Sequence, residues 1–226
     1  MKQKIFCIVP AAGAGSRFGK ETPKLLFPIH KRPAIEWTAK ALISSKVFEK
    51  IIFAIPPRSL QSSTHQFDFL KELSPSIDLV QGGAERIESV LRGYDSCEAS
   101  DDDIILVHDG ARPCINKELI DRIIGGVREH GAVTLASKIL DTVKRVSDDV
   151  VKETLNRNEL VTVQTPQGFI SRVLREAFKS KKENMVYTDE ASLVEQVHPV
   201  HVIFSKELNP KLTTVEDIWI LEKLLK

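Results

Sequence analysis

The sequence predicts an α/β fold with a mainly parallel sheet, helices on both faces and a projecting β-hairpin arm. Five short apolar runs are typical of strands that are buried on both faces of a sheet. They cover residues 5–9, 51–55, 77–80, 104–107 and 132–136. Helical patterns lie between these runs, and strands that alternate with helices pair in parallel through right-handed crossovers. The architecture expected from this alternation is Rossmann-like.

The helical segments have signals of their own. Residues 33–43 begin with a proline in the first turn and then repeat apolar residues at helical spacing. Residues 84–94 and 117–128 show similar patterns. Near the end of the chain, Thr213 and Glu216 have the spacing of a capping box and predict a helix that runs through Leu225.

The pattern changes between about residues 138 and 161, where two alternating segments flank the turn-forming residues 147–149. This predicts a β-hairpin that projects from the sheet as an arm. We expect one domain over residues 1–226, because the sequence has no internal repeat, low-complexity tract or linker. A two-stranded ribbon is at best marginally stable in water, so the apolar side chains of the arm predict a homodimer formed through it. These side chains are Ile139, Val143, Val150, Val151 and Leu155.

Composition excludes several classes of protein. Hydrophobic residues make up 42% and charged residues 28%, which excludes a disordered chain, a collagen, a coiled coil and a membrane bundle. Lys and Arg number 32 against 31 Asp and Glu, so charge gives no reason to expect a nucleic-acid or membrane partner. The three cysteines, Cys7, Cys97 and Cys114, form no C-x-x-C pair, which argues against a disulfide framework or a cysteine zinc site. The apolar run at 5–9 is too short for a secretion signal, and we expect a cytoplasmic protein.

The loop after the first predicted strand, residues 10–24, is rich in small residues and carries Arg17 and Lys24. In an open α/β sheet such a loop lies at the carboxyl edge, where ligands bind. The loop fails the dinucleotide fingerprint, because Phe18 stands where the third glycine belongs. It also fails the Walker A motif, which needs a different glycine spacing and a Lys-Ser/Thr pair. Two readings remain, a polyphosphate-binding loop and a plain strand-to-helix turn with surface cations.

Seven short motifs follow one another between residues 9 and 217. The first is the loop just described, from Pro10 to Lys24. The others are Gly82-Gly83-x-x-Arg86-x-x-Ser89-Val90, His108-Asp109-x-Ala111-Arg112-Pro113, Asp141-Thr142-Val143-Lys144, Gln164-Thr165-Pro166-Gln167-x-Phe169, Thr188-Asp189-Glu190-Ala191-Ser192 and Asn209-x-Lys211-x-Thr213. In this order, the seven motifs resemble those of the 2-C-methyl-D-erythritol 4-phosphate cytidylyltransferase family. Gly110, Ala84 and Leu212 depart from the family's usual residues. The resemblance implies transfer of CMP from CTP to a polyol phosphate with release of pyrophosphate.

The resemblance also implies a role for each matched residue. The implied catalytic cations are Arg17, Lys24, Arg157 and Lys211. The implied nucleotide-binding residues are Pro10, Ala11, Ala12, Gly13, Gly15, Gly82, Gly83, Arg86 and Ser89. The residues implied for the polyol phosphate are Asp109, Arg112, Thr142, Thr165 and Thr188. We interpret His108 as a structural histidine at a strand end.

The expected cofactor is Mg²⁺, held mainly through the CTP phosphates and not by a dedicated protein site. CTP and a polyol phosphate are the expected small-molecule partners. Ribitol-5-phosphate cytidylyltransferase is the closest alternative enzyme, because it shares much of this scaffold. A non-catalytic nucleotide-binding module is an alternative from a different class, disfavoured because Arg17, Lys24, Arg157 and Lys211 are all retained. A NAD-dependent dehydrogenase is disfavoured by the failed fingerprint.

Overall fold

The computed structural model describes residues 2–13, 18, 23–57, 59, 66–182 and 185–225. The strands are β1 (Ile5–Pro10), β2 (Pro28–Ile29), β3 (Arg32–Pro33), β4 (Lys50–Ile55), β5 (Ile77–Gln81), β6 (Ile104–Val107), β7 (Ala132–Lys138), β8 (Lys144–Ser147), β9 (Val150–Thr154), β10 (Val161–Ile170) and β11 (His201–Phe204). The α-helices are α1 (Ala34–Ser44), α2 (Phe69–Leu73), α3 (Arg86–Cys97), α4 (Lys117–His130), α5 (Ser171–Lys179), α6 (Glu190–Val194) and α7 (Asp217–Leu224).

Within the described residues, the central sheet has seven strands in the order β11-β7-β10-β6-β1-β4-β5. Strand β10 runs antiparallel to its neighbours β6 and β7, and the other pairings are parallel. The predicted mainly parallel α/β sheet is therefore confirmed. Strands β1, β4 and β6 are buried along nearly their whole length, as their continuous apolar runs predict.

Helices α3 and α4 begin at polar caps. A capping box joins Glu85 and Glu88 at the start of α3, and the Asn116 side chain accepts from the Leu119 N–H at the start of α4. The predicted capping box at Thr213 is wrong. The Asp217 carboxylate instead accepts from the N–H groups of Thr213 and Thr214, and the last helix begins at Asp217.

The arm is shorter than its predicted span. The paired strands are β8 and β9, so the hairpin covers residues 144–154. Lys138 still belongs to β7 and Val161 already belongs to β10, because both continue the central sheet. Asp148 and Asp149 both have positive φ, as the favoured two-residue hairpin turn requires. Val146, Val150 and Val151 are each more than half exposed in the single chain.

Parallel strands end together, so the loops after β1, β5 and β6 meet at the carboxyl edge of the sheet. Strand β10 enters at the same edge because it is antiparallel to β6. Its register shifts between Gln164 and Gln167, and this irregularity lies beside the loop after β6. Among the described helices, none is both long and apolar enough to cross a membrane.

Candidate active site

Two adjoining cavities open at the carboxyl edge of the sheet. The first is lined by residues 10–13 after β1, by residues 83–86 before α3, and by residues 109–111 after β6, together with Lys24 and Lys211. The second is lined by the loop after β6, by the irregular part of β10, and by Thr188 and Asp189. Arg86, Asp109 and Lys211 line both cavities, so these three side chains form the wall between them.

Close approach of two loops shapes the floor of the first cavity. A Cβ built on Gly82 would lie 2.3 Å from the Cβ of Ala12, so only glycine lets the loops after β1 and β5 meet here. The Ser89 hydroxyl accepts from the Gly83 N–H at 3.0 Å and donates to the Glu85 carbonyl at 3.1 Å. Ser89 therefore holds the glycine turn in shape while it also lines the cavity.

Asp109 is the centre of a cation cluster on the shared wall. Its carboxylate lies 2.8 Å from Lys211 Nζ, 3.2 Å from Arg86 Nη2 and 3.5 Å from Arg112 Nε. Burial alone would raise the pKa of Asp109, but Arg86, Lys211 and Arg112 outweigh it and hold this pKa well below its usual range. Asp109 is therefore ionised at neutral pH and gathers three cations where the two cavities meet.

Thr165 and His108 fix the backbone beside this cluster. The Thr165 hydroxyl accepts from the Asp109 N–H at 3.0 Å, and His108 Nδ1 lies 3.3 Å from the same hydroxyl. His108 Nε2 lies 3.0 Å from the Arg112 carbonyl, which can only accept, so Nε2 carries the proton and Nδ1 accepts from Thr165. Burial lowers the pKa of His108 to about 4. The structural role predicted for His108 agrees with this neutral, fully buried ring.

Two residues of the matched motifs acquire roles that sequence reasoning did not assign. Glu190 is fully buried, and Arg86 Nη1 donates to its carboxylate. The Asn209 carbonyl accepts from Arg112 at 2.7 Å, and the Asn209 side-chain amide donates to the Thr165 carbonyl at 2.8 Å. Membership of the Thr188-Asp189-Glu190 and Asn209-x-Lys211 motifs was the available signal, but neither motif shows which side chain is buried.

Known proteins are similar to this chain over nearly its whole length. A family model described as IspD, 2-C-methyl-D-erythritol 4-phosphate cytidylyltransferase, matches residues 5–226. The chain belongs to this family. A relative of that name from Bacillus cereus is 39% identical, over 96% of this chain and 96% of that protein. Another from Syntrophus aciditrophicus is 34% identical, over 100% of this chain and 97% of that protein.

Solved structures of the cytidylyltransferase family have the same fold. The Francisella tularensis enzyme matches with a TM-score of 0.82 and 28% identity, over 99% of this chain and 100% of that chain. The Thermus thermophilus enzyme matches with a TM-score of 0.78 and 26% identity, over 99% of this chain and 98% of that chain. The bifunctional IspDF of Campylobacter jejuni is covered over 53% of its length, so it carries a further segment beyond the part that matches.

The structure brings together most of the residues that the family resemblance implies. Thirteen line one or both cavities: Pro10, Ala11, Ala12, Gly13, Lys24, Gly83, Arg86, Ser89, Asp109, Arg112, Thr165, Thr188 and Lys211. Gly82 supports the floor of the first cavity. Gly15 and Arg17 lie outside the described residues.

Two of the implied residues lie apart from both cavities. Thr142 and Arg157 flank the hairpin and are exposed. Arg157 lies on a short 3₁₀ turn (Arg157–Glu159), and its guanidinium donates to the Leu140 carbonyl. Neither residue lines either of the two cavities described above.

Proposed function

We propose that this chain transfers CMP from CTP to 2-C-methyl-D-erythritol 4-phosphate and releases pyrophosphate, as a step in isoprenoid precursor synthesis. The observation that carries the proposal is the family match over residues 5–226. The shared wall supports it, because two adjoining cavities with cations between them suit two polyanionic substrates. The bound nucleotide would occupy the first cavity and the polyol phosphate the second.

The reaction needs position and charge more than covalent chemistry. A phosphate oxygen of the acceptor attacks the α-phosphorus of CTP, and the bond from that phosphorus to the bridging oxygen of the β-phosphate breaks. The electron pair leaves with pyrophosphate. Lys24 and Arg17 would stabilise charge on the α-phosphate and the leaving group. Lys211 would aim the acceptor phosphate at the α-phosphorus from the shared wall.

The acceptor would be held by the polar lining of the second cavity. Thr188 is exposed there, and Arg112 keeps part of its guanidinium beside Asp109. The Thr165 hydroxyl already accepts from the Asp109 N–H, and a hydroxyl oxygen has a second lone pair for a substrate group. Thr165 therefore combines a structural contact with the binding role proposed for it.

Magnesium is the proposed cofactor, held through the CTP phosphates, whose charge it would neutralise. Among the described residues, no three His, Cys, Asp or Glu side chains converge on a common point as metal ligands. Asp109 also already faces three cations at 3.5 Å or less. The side chains thus do not fit a cage that holds the ion without nucleotide, and no step above depends on one.

A homodimer formed through the arm is part of the same proposal. The exposed valines of β8 and β9 would be covered by a second subunit, and Arg157 and Thr142 line neither of the two cavities in their own chain. Crossing of the arms would bring both residues to the partner's acceptor cavity. We also propose that the enzyme works in the cytoplasm.

Pyrophosphate release across the four nucleoside triphosphates, with the methylerythritol acceptor, tests the donor half of the proposal. CTP is expected to turn over in the presence of Mg²⁺, and excess chelator is expected to abolish turnover. Equal rates with ATP or GTP, or full activity in chelator, would contradict the proposal.

A comparison of acceptors tests the other half. The loop at Pro10–Gly13 and the Ala111-Arg112-Pro113 sequence match the methylerythritol family, where ribitol-type enzymes usually have Leu-Ala-Gly-Gly and a valine before Arg-Pro. We expect a higher kcat/KM for 2-C-methyl-D-erythritol 4-phosphate than for ribitol 5-phosphate. The reverse order would make ribitol 5-phosphate the substrate.

A further inference from the structure

Glu190 is a fully buried carboxylate behind the wall that separates the two cavities. An ionised carboxylate in the protein interior is costly unless a cation pairs with it. Burial raises the pKa of Glu190, and the guanidinium of Arg86 opposes that rise. The two residues are 104 positions apart in the chain, so this ion pair ties α6 to the first turn of α3.

Arg86 uses the two arms of its guanidinium on two different carboxylates. Nη1 donates to Glu190, and Nη2 donates to Asp109 at 3.2 Å. The planar fork of arginine fixes an orientation when both arms are engaged, which a lysine ammonium cannot do. The Arg86 side chain remains 26% exposed, and it lines both cavities.

Asp109 alone would not determine where Arg86 points. Lys211 and Arg112 contact the same carboxylate, so three cations share one anion. Within the part of the chain that the structure describes, Arg86 is the one cation that pairs with Glu190. Glu190 thus gives Arg86 a second carboxylate partner, and this contact sets the position of the Arg86 charge relative to the other two cations on the shared wall.

The element that carries Glu190 is itself fixed. Asp189 caps α6 by accepting from the Ser192 N–H at 2.9 Å. Gln167, in the buried part of β10, donates to the Asp189 carboxylate at 2.7 Å and accepts from the Ala191 N–H at 3.1 Å. The residues on either side of Glu190 are thus held by β10, and this fixes the backbone from which the Glu190 carboxylate reaches Arg86.

We propose that Glu190 is a positioning residue, which acts through Arg86 to hold the cations at the junction of the nucleotide and acceptor cavities. It touches neither substrate. The proposal rests on the proposed function, because it assigns the two cavities to CTP and the polyol phosphate. It extends that function by adding a buried residue that governs how both substrates meet.

The test is a double-mutant cycle on kcat/KM for both substrates. Glu190→Gln keeps the shape of the side chain and removes its charge, and Arg86→Lys keeps the charge and removes the fork. Glu190→Gln is expected to lower kcat/KM by up to roughly 10²-fold, the cost of misplacing a reacting group by about 1 Å. In the Arg86→Lys background, Glu190→Gln is expected to lower kcat/KM much less, because the arginine fork through which Glu190 acts is already absent. An equal fold-decrease in kcat/KM in both backgrounds would overturn the proposal.

A second buried carboxylate controls for stability. Asp103 accepts from the N–H groups of Lys4 and Ser100, each at 2.8 Å, at the amino end of β6 away from the cavities. Asp103→Asn is expected to lower the melting temperature with kcat/KM unchanged. If Glu190→Gln behaves in the same way, Glu190 is structural only and the proposal fails. If Glu190→Gln does not fold, Glu190→Asp is the second variant, because it moves the charge away from Arg86 by the length of one methylene. It is expected to lower kcat/KM. Wild-type kinetics for Glu190→Asp would also overturn the positioning role.

The affinity for CTP, measured by calorimetry, tests the positioning role of Glu190 without requiring any turnover, so failure of this role can be told apart from failure of the proposed function. Glu190→Gln is expected to weaken CTP binding in wild-type background and not in Arg86→Lys. A wild-type protein that binds CTP but transfers nothing contradicts the proposed function, and the coupling of Glu190 to Arg86 is then decided by the affinities alone. Affinities that show no coupling overturn the positioning role.

Discussion

At the residue scale, the site depends on how a few charged side chains share their partners. Asp109 collects Arg86, Arg112 and Lys211, and none of these contacts joins neighbours in sequence except that of Arg112, three residues away. The cations that line the two cavities are therefore held by Asp109 within the wall, and Arg86 is also held by the buried Glu190. This arrangement keeps positive charge at fixed positions before a polyphosphate arrives, which lowers the reorganisation needed during reaction.

Lys24 is expected to act mainly in the transition state. Replacement of Lys24 by alanine is expected to lower kcat by roughly 10²-fold, as for the loss of one preorganised donor. Lys50 is a matched control, because it pairs with Asp78 at the amino end of β4, away from the cavities. Steady-state kinetics are expected to show kcat unchanged for Lys50→Ala. A rise in KM alone for Lys24→Ala would make it a ground-state binder.

His108 gives the protein an acid sensitivity of defined sign. Its folded pKa of about 4 lies below the ordinary value of 6.5, so the unfolded chain binds the extra proton first. Stability is therefore lost as pH falls from about 6.5 to about 4, by up to about 3 kcal/mol. Urea unfolding at several pH values is expected to show a shallower decline for His108→Gln, which keeps a donor for the Arg112 carbonyl. If the free energy of unfolding of the wild type and of His108→Gln falls equally with pH, His108 is not the source of this acid sensitivity.

Sequence reasoning found the residues that face the cavities better than those behind them. Arg86, Asp109 and Lys211 belong to short motifs and lie where strands end. Glu190 has a partner 104 residues away, and its complete burial depends on tertiary packing that no local pattern encodes. The same holds for Ser89, whose motif marks a site residue but does not reveal that its hydroxyl braces the Gly83 turn.

At the element scale, the strands that were predicted correctly are those whose apolar runs are typical of burial on both faces of the sheet. The five apolar runs became β1, β4, β5, β6 and β7. Strand β10 was not predicted as a strand, because its buried half includes polar residues such as Thr165 and Gln167, which serve the site and the cap of α6. Strand β11 lies at the sheet edge and is mostly exposed, so it lacks the continuous apolar run that marks a central strand.

Two helical glycines make a matched test of how closely helices approach the sheet. A Cβ on Gly93 of α3 would lie 2.5 Å from Ile8 Cγ2 in β1, whereas one on Gly125 of α4 would meet nothing within 4 Å. Gly93→Ala is expected to lower the free energy of unfolding by about 1–3 kcal/mol through overpacking. Gly125→Ala is expected to raise it by up to about 1 kcal/mol through helix propensity. Chemical denaturation measures both, and equal effects would contradict the packing described.

At the scale of the whole molecule, the arm decides whether the site is complete in one chain. Arg157 and Thr142 lie on the segments that flank the hairpin, apart from both cavities of their own chain. The proposed dimer makes each site composite, with Lys24 from one subunit and Arg157 from the other.

Subunit mixing tests the composite site. Inactive Lys24→Ala and Arg157→Ala chains are expected to recover about one quarter of wild-type activity after random exchange, because half of the dimers are mixed and one of their two sites is intact. Native mass spectrometry establishes that mixed dimers form. No recovery in proven heterodimers would place Arg157 in its own subunit's site, and a fully active monomer would remove the dimer from the mechanism.

Phosphorus NMR of a single reaction mixture follows both products of the proposed transfer of CMP to 2-C-methyl-D-erythritol 4-phosphate. With CTP, the acceptor and Mg²⁺ present, we expect one pyrophosphate and one new cytidine diphospho-polyol for each CTP consumed. Omission of the acceptor is expected to leave CTP intact. Pyrophosphate formed without the diphospho-polyol, or an acceptor left unchanged while wild-type protein is folded and binds CTP, would show that the chain does not carry out this transfer.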